Sequence, residues 1–445
     1  MSIQPATYPH SGRRIDRRAA AYRDEGLLLG LLGIALTIRA FIPTDLLDLF
    51  VHYSTLGGSI FEKIHPGAYL LLALGGLVFF TQDTSTNLRD RSVKNGSYAL
   101  LVAMGAAIVV GLLTGRTAGV SYILDSLILG PIVGLIMLRM SPRGQSKILV
   151  YILTLLIIND FLLFFEFATH FRLMPYRLHE PYFRPTGFLG HPLLNGLVNA
   201  TAIAFVWVTP WSNARKLALS IFFMAACFAA GARMATIASV LATVMCTWVE
   251  LGQSARKGRI DEGAFITIAI AAMAFVLIVI TIVVLSGLAE RLIGFGLFND
   301  QSSQSRFQIY QIFNYMSFTQ LMFGISHEWA NYMITNILNL PGSESPIVDF
   351  VIQFGIIGTV MLVAGMLIYF WCYATAPRNA FAIVGTMIFV ATASTNNTFS
   401  GKGSDMAIFA ALLVGSFSAP ASQHFRAQFR RPKVRAAQRP AIATS

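Results

Sequence analysis

The chain has 445 residues, of which 55% are hydrophobic and 12% are charged, whereas soluble globular proteins carry about 25% charged residues. This composition excludes an ordinary soluble enzyme and favours one polytopic membrane domain. The net charge is +12, with basic residues concentrated in the tails and in short loops, which is typical of segments held at a cytoplasmic leaflet and predicts no nucleic-acid partner. The three cysteines lie in apolar runs without zinc or disulfide spacing and are interpreted as packing residues.

Apolar runs recur along residues 26–420, and a helix needs about 20 apolar residues to cross about 30 Å of hydrocarbon. The sequence therefore predicts an all-α fold with about 12 transmembrane helices. The predicted spans are 26–43, 66–82, 97–114, 120–138, 147–165, 191–209, 217–232, 234–251, 263–287, 346–372, 380–394 and 405–420. An even number of spans places both basic tails, 1–25 and 421–445, on one side of the membrane.

The distribution of charge supports this topology. The tails and the loops on their side hold 23 of the 33 lysines and arginines, the opposite side holds nine, and Arg39 lies within the first span. Because positive residues favour the cytoplasmic side, both tails are predicted to be cytoplasmic. The two long external segments, 166–190 and 288–345, are then periplasmic, and the second has an amphipathic pattern that predicts short helices on the membrane.

Arginines on the outer side are the first candidate site residues, because a guanidinium grips phosphate through a planar, bidentate fork. Arg184 precedes the sixth span, Arg306 lies in the larger loop, and Arg233 separates the seventh and eighth spans. Those two spans, of about 16 and 18 residues, correspond to about 24 and 27 Å of helix, less than the bilayer core. Arg233 is therefore predicted to lie in a recess, with anchoring at external headgroups as the alternative.

The start of the sixth span is a second candidate feature. His191 and Pro192 open this helix, whose free N–H groups and dipole favour an anion. His191 is interpreted either as a catalytic group or as a hydrogen-bonding cap. Asn195 and Asn199 share a face of the helix, where they either line the same cavity or join helices by hydrogen bonds.

Metal-binding and catalytic motifs in the larger loop, 288–345, are incomplete or absent. His327 and Glu328 resemble the start of an HExxH zinc motif, but residue 331 is asparagine, so the second metal ligand is missing. The sequence has neither a GxSxG nor a Walker A motif. No metal or cofactor is therefore predicted.

Taken in order, several short motifs resemble one family over about residues 180–370. They are Arg184 with Gly187 and Pro192 before a span, Gly231-Ala232-Arg233 at a helical hairpin, Arg306 at the start of an external loop, and Phe354-Gly355-Ile356-Ile357-Gly358 after it. This pattern resembles the O-antigen ligase and Wzy-type polysaccharide polymerase superfamily of bacterial inner-membrane glycosyltransferases.

The resemblance implies transfer of a glycan from an undecaprenyl-pyrophosphate carrier to an acceptor sugar at the periplasmic face, without a nucleotide sugar or a required metal. The expected partners are the carrier-linked oligosaccharide, the acceptor glycan and membrane lipid, with a chain-length regulator or an export protein as further candidates. Arg184, Arg233, Arg306 and His191 would then bind the pyrophosphate.

One residue departs from the ligase pattern. Ligases commonly place a catalytic histidine about eleven residues before the first glycine of the GxxG pair, and Glu344 occupies that position here. Glu344 is therefore the preferred base, with His327 as the alternative; a plain helix start around Glu344 is the structural alternative. This departure favours an exopolysaccharide or O-antigen polymerase over an O-antigen ligase. A secondary transporter or a flippase for lipid-linked glycans is the alternative from another class.

Overall fold

The computed structural model describes residues 12–55, 58–80, 88–115, 118–176, 183–256, 301–340, 342–343 and 345–418. Within these ranges all regular secondary structure is helical, which confirms the predicted all-α class. The predicted span 263–287 and most of both tails lie outside the described residues.

The first part of the described chain has helical structure at each of the first eight predicted spans, with ends that differ from the predicted ones. Its helices are α1 (Gly12–Phe41), α2 (Thr44–Leu47), α3 (Pro66–Phe79), α4 (Leu88–Leu113), α5 (Ala118–Tyr122), α6 (Leu129–Met137), α7 (Pro142–Thr169), α8 (Pro192–Val206), α9 (Asn213–Ala229) and α10 (Arg233–Arg256). A π-helical turn, Ile123–Leu127, joins α5 to α6.

Short helices occupy the described part of the predicted loop 288–345, namely α11 (Gln301–Gln308), α12 (Phe318–Phe323) and α13 (His327–Tyr332). The 3-10 helix Ile309–Tyr315 follows α11, and the π-helical turn Met333–Ile337 follows α13. The chain then forms α14 (Pro346–Thr375), α15 (Ala380–Ala393) and α16 (Asp405–Gly415).

Five helical stretches in the described residues are long and apolar enough to cross a membrane, which supports a membrane protein. They are Leu88–Leu113, Gly119–Met137, Pro142–Thr169, Arg233–Ala255 and Pro346–Thr375. Helices α3, α8, α15 and α16 are apolar but have fewer than 18 residues. The number of twelve spans therefore stays a prediction.

Contacts between the connecting segments define two ends of the helical bundle. At one end Phe41 stacks on Phe188 with ring centroids 4.7 Å apart, and Lys402 Nζ donates to the Tyr53 carbonyl at 2.8 Å. At the other end Arg89 donates to the Phe417 carbonyl at 3.1 Å. The segments predicted to share a side of the membrane therefore contact one another.

A buried ion pair lies near the first of these ends. Arg39, with 5% of its side chain exposed, donates to the Asp125 carboxylate at 3.4 Å and to the Gly403 carbonyl at 2.6 Å. Asp125 lies in the π-helical turn, and it also accepts hydrogen bonds from the His65 N–H at 2.7 Å and from the Tyr53 hydroxyl. The arginine within the first span therefore joins segments far apart in the sequence.

Candidate functional site

The segment that carries Arg184, residues 183–191, is fixed to the end of α7 by one buried carboxylate. Glu166 Oε2 accepts the N–H groups of Thr186 at 2.7 Å and Gly187 at 3.0 Å, and its Oε1 accepts the Leu173 N–H at 3.2 Å. The Glu166 side chain is fully buried. It therefore holds both ends of the connection between α7 and α8.

Two asparagines, Asn159 and Asn195, extend this hydrogen-bond network to α8. Asn159 Oδ1 accepts the Leu189 N–H at 3.2 Å, and Asn159 Nδ2 donates to Asn195 Oδ1 at 2.6 Å. Asn195 in turn donates to the Thr186 carbonyl at 2.5 Å. Gly187 has a φ of 54°, and a Cβ there would lie 2.6 Å from Asn159 Oδ1, so the turn requires glycine.

Of the two alternatives for the asparagines, the structure supports helix joining. Asn195 bonds Asn159, and Asn199 Nδ2 donates to Asp160 Oδ1 at 2.8 Å. Both links connect α8 to α7, and both asparagine side chains are buried.

Arg184 connects this segment to the hairpin between α9 and α10. Its Nε donates to the Ala230 carbonyl at 3.3 Å. The Arg172 guanidinium donates to the Arg184 carbonyl at 3.0 Å and lies over the rings of Tyr176 and Phe183. Arg172 therefore supports the backbone of Arg184, a role that the sequence did not identify.

The hairpin reverses at Gly231, directly before Arg233. Gly231 has a φ of 64°, and hydrogen bonds from the N–H groups of Gly231 and Ala232 to the carbonyls of Phe228 and Cys227 close the end of α9. Arg233 is half-buried at the first position of α10. Arg184 therefore contacts the turn that presents Arg233, and two of the three predicted arginines belong to one region.

The prediction that both helices beside Arg233 are shorter than the hydrocarbon core is wrong for α10. Helix α10 has 24 residues, which correspond to about 36 Å, because the helix continues through the polar residues after the apolar run. Only α9, with 17 residues or about 26 Å, is shorter than the hydrocarbon core. The depth of Arg233 stays a prediction that rests on α9.

His191 is the N-cap of α8, as one of the two interpretations predicts. Its Nδ1 accepts the Leu193 N–H at 3.2 Å. Because Nδ1 accepts this N–H it carries no proton, so the imidazole is neutral in this arrangement and adds no positive charge to the site.

A change of the cap residue separates the two roles of His191. His191→Asn keeps a cap acceptor and is expected to leave thermal stability near wild type, and also polymer production if the chain has the predicted polymerase activity, whereas His191→Ala should cost about 1 kcal/mol of stability. Asn379→Ala, which removes the N-cap acceptor of α15, is the matched control. Loss of polymer by His191→Asn at normal thermal stability would instead indicate a ligand.

The remaining predicted residues belong to the 301–345 region. Arg306 is half-buried in the last turn of α11, and its approach to the other arginines stays a prediction. His327 is exposed at the start of α13, with its Nε2 3.1 Å from Asn331 Nδ2. Glu344 lies outside the described residues. Ser345 next to it is the N-cap of α14, with Pro346 in the first turn, so the predicted helix start is confirmed.

Gly355, in the 354–358 motif, interrupts α14 at the point where residues 322–325 contact this helix. Gly355 has a φ of 66°, and the Ile352 carbonyl, at the start of this break, accepts the Ile325 N–H at 2.7 Å. A Cβ at Gly355 would collide with the backbone of Met322 and Phe323. The motif therefore fixes the end of α12 and the segment between α12 and α13 against the first part of α14.

Comparisons with known proteins add no assignment. No protein-family model matches the chain, and no curated protein matches it.

The arrangement around Arg184 is suited to a polyanion. Two helices of 15 and 24 residues, α8 and α10, begin in this region, and their N-terminal N–H groups and dipoles favour negative charge. Arg184 and Arg233 add two permanent positive charges. Among the described residues no group of three or more His, Cys, Asp or Glu side chains could hold a metal ion, and no metal site is assigned there.

A substitution of Glu166 tests how much the three N–H hydrogen bonds to its carboxylate contribute to the stability of this region. Glu166→Gln replaces one acceptor oxygen by an NH2 group, so at least one of the three bound N–H groups loses its partner. Because an unsatisfied buried donor costs about 1 to 3 kcal/mol, we expect a lower melting temperature. Thermal unfolding of the purified protein would measure it.

The control for this change is Glu250→Gln, which removes the same charge from the far part of α10. Normal stability in Glu166→Gln would show that the carboxylate does not hold the segment in place.

Proposed function

We propose that the chain is a polysaccharide polymerase of the O-antigen ligase and Wzy-type superfamily. It would transfer a glycan from undecaprenyl pyrophosphate to an acceptor sugar. The observation that carries the proposal is the hydrogen bond from Arg184 to the Ala230 carbonyl, because it joins two of the motifs on which the resemblance depends. In the sequence these motifs are separated by the whole of α8 and α9.

The proposed reaction assigns a role to each group. Arg184, Arg233 and Arg306 bind the pyrophosphate of the donor and stabilise the negative charge that develops on it. Glu344, or His327, takes the proton from the acceptor hydroxyl, whose oxygen attacks the anomeric carbon. The bond between that carbon and the pyrophosphate oxygen breaks, and undecaprenyl pyrophosphate leaves. Neither a nucleotide sugar nor a metal takes part in this scheme.

The proposed setting is the bacterial inner membrane, with twelve spans, both termini in the cytoplasm and the arginines on the periplasmic side. The contacts of the two ends of the bundle support this topology, because the 41–65, 183–191 and 397–404 connections meet at one end. The acceptor glycan, membrane lipid and a chain-length regulator or export protein are the proposed partners.

Cysteine labelling tests the sidedness. In a variant without the three native cysteines, Gln308→Cys is expected to react with an impermeant maleimide in intact cells, because position 308 belongs to the proposed periplasmic loop. Asn213→Cys, which is exposed at the opposite end of the bundle, should react only after lysis. The reverse pattern would invert the topology.

The activity is tested directly with purified protein in nanodiscs and the lipid-linked repeat unit of the producing strain. Gel electrophoresis is expected to show glycan longer than one repeat, with undecaprenyl pyrophosphate released in equal amount to the bonds formed. Transfer of the repeat unit only to lipid A core would identify a ligase, and neither product would contradict the proposal.

A further inference from the structure

A cleft of about 270 Å³ lies between α3, α4 and α6, at the end of the bundle away from Arg184. Its walls include Leu72, Gly76, Leu101 and Ile132, and its cationic side chains are Lys94 and Arg139. This volume is slightly below the about 300 Å³ at which pockets for whole small ligands begin, so the cleft has room only for part of a larger molecule. No step of the proposed reaction uses this cleft.

Glycine creates the open wall of the cleft. A Cβ added to Gly76 would meet no atom within 4 Å, so the missing side chain leaves space. The neighbouring Gly75 differs, because a Cβ there would lie 2.6 Å from Ile132 Cγ2. Gly75 therefore serves helix packing, whereas Gly76 opens the cleft.

The two cations are held beside this apolar wall. Arg139 follows α6, and its Nη2 donates to the Val78 carbonyl near the end of α3 at 3.2 Å. Lys94 lies on α4, close enough to Arg139 for an electrostatic interaction. Two positive charges at one place attract an anionic group beside them.

The surface around the cleft is apolar on the side that would face lipid. Leu77, Phe79 and Phe80 have 68%, 66% and 86% of their side chains exposed. A soluble anion would gain nothing from such walls, whereas a lipid would place its chain along them and its headgroup beside the cations. A basic pocket between transmembrane helices is a typical binding place for acidic lipid headgroups.

We propose that this cleft binds an acidic phospholipid, with the phosphate between Lys94 and Arg139 and an acyl chain along the wall at Gly76. Phosphatidylglycerol and cardiolipin have this chemistry, whereas phosphatidylcholine also carries a quaternary ammonium that the two cations disfavour. The proposal does not depend on the glycosyltransferase function. In the proposed topology the cleft opens to the cytoplasmic leaflet.

Native mass spectrometry of the full-length protein in detergent tests the proposal. The probes are dioleoyl phosphatidylglycerol, dioleoyl phosphatidylcholine, inorganic phosphate and undecaprenyl phosphate. We expect the wild type to bind phosphatidylglycerol in preference to phosphatidylcholine. Gly76→Leu, which fills the cleft, and Lys94→Gln, which removes a charge, should each weaken that binding about tenfold.

Two matched variants control for general effects. Gly105→Leu makes the same change at an exposed position of α4 where a Cβ also meets nothing within 4 Å, and Arg215→Gln removes an exposed cation that lies over Trp211. Both should bind phosphatidylglycerol like the wild type.

Three results would overturn the proposal. The first is binding of phosphatidylglycerol that Gly76→Leu and Lys94→Gln leave unchanged. The second is displacement of the lipid by inorganic phosphate at equal concentration, which would indicate a site for the free ion. The third is tighter binding of undecaprenyl phosphate than of phosphatidylglycerol, which would assign the cleft to the isoprenoid carrier.

Discussion

Arg233→Lys is expected to slow the proposed polymerisation by about 10- to 100-fold while the protein remains folded and inserted. Lysine keeps the charge at the start of α10, but a point ammonium cannot form the two parallel hydrogen bonds that guanidinium forms with a phosphate. Loss of a hydrogen bond to a charged group costs about 1.5 to 3 kcal/mol, which gives this range. The rate with purified protein and lipid-linked repeat unit is the measurement.

Arg215→Lys is the control for Arg233→Lys, because Arg215 is exposed at the opposite end of the bundle. It should leave the rate unchanged. Polymer production at wild-type level by Arg233→Lys would show that Arg233 only anchors the hairpin at headgroups, which is the alternative that the sequence leaves open.

The second large effect is expected at Glu344. If this carboxylate takes the proton of the acceptor hydroxyl, Glu344→Gln should lower turnover by about 10² to 10⁴-fold, with carrier-linked repeat units accumulating. Glutamine keeps the size of the side chain but cannot act as a base. Single-turnover assays with the preformed complex of enzyme and donor would measure the chemical step.

His327→Ala is the comparison for Glu344→Gln. His327 is exposed and lies within hydrogen-bonding distance of the side chain of Asn331 in its own helix, so its removal should have the smaller effect. A near-normal rate for Glu344→Gln together with an inactive His327→Ala would reverse the assignment of the base.

Hydropathy predicted the helices well because an apolar run in a membrane has few alternatives to a helix. The ends were predicted less well. Helix α10 continues to Arg256 because polar residues extend a helix into water, and α16 ends at Gly415 before a 3-10 turn. Apolar content marks where hydrocarbon contacts a helix, and hydrogen bonding decides where the helix stops.

The meeting of Arg184 with the α9–α10 hairpin was predictable in outline, because the count of spans places both at one end. The contacts that hold these segments in place were not predictable. Glu166 binds two N–H groups about twenty positions later, and nothing in its local sequence indicates this pairing. Gly355 belongs to a motif that the resemblance identified, but only the structure shows that it breaks α14 against the loop.

The buried contacts of Arg39 have a consequence for biosynthesis. Its acceptor Asp125 is 86 positions away and its acceptor Gly403 is 364 positions away. At about 5 to 20 residues per second, the ribosome delivers Gly403 about 20 to 70 s after Arg39. During that interval the first helix waits in the membrane with an incomplete set of acceptors, and a chain that terminates early never completes the set. Truncated products that end before Gly403 therefore lack the 2.6 Å hydrogen bond from Arg39 to the Gly403 carbonyl and keep a less satisfied guanidinium than finished molecules.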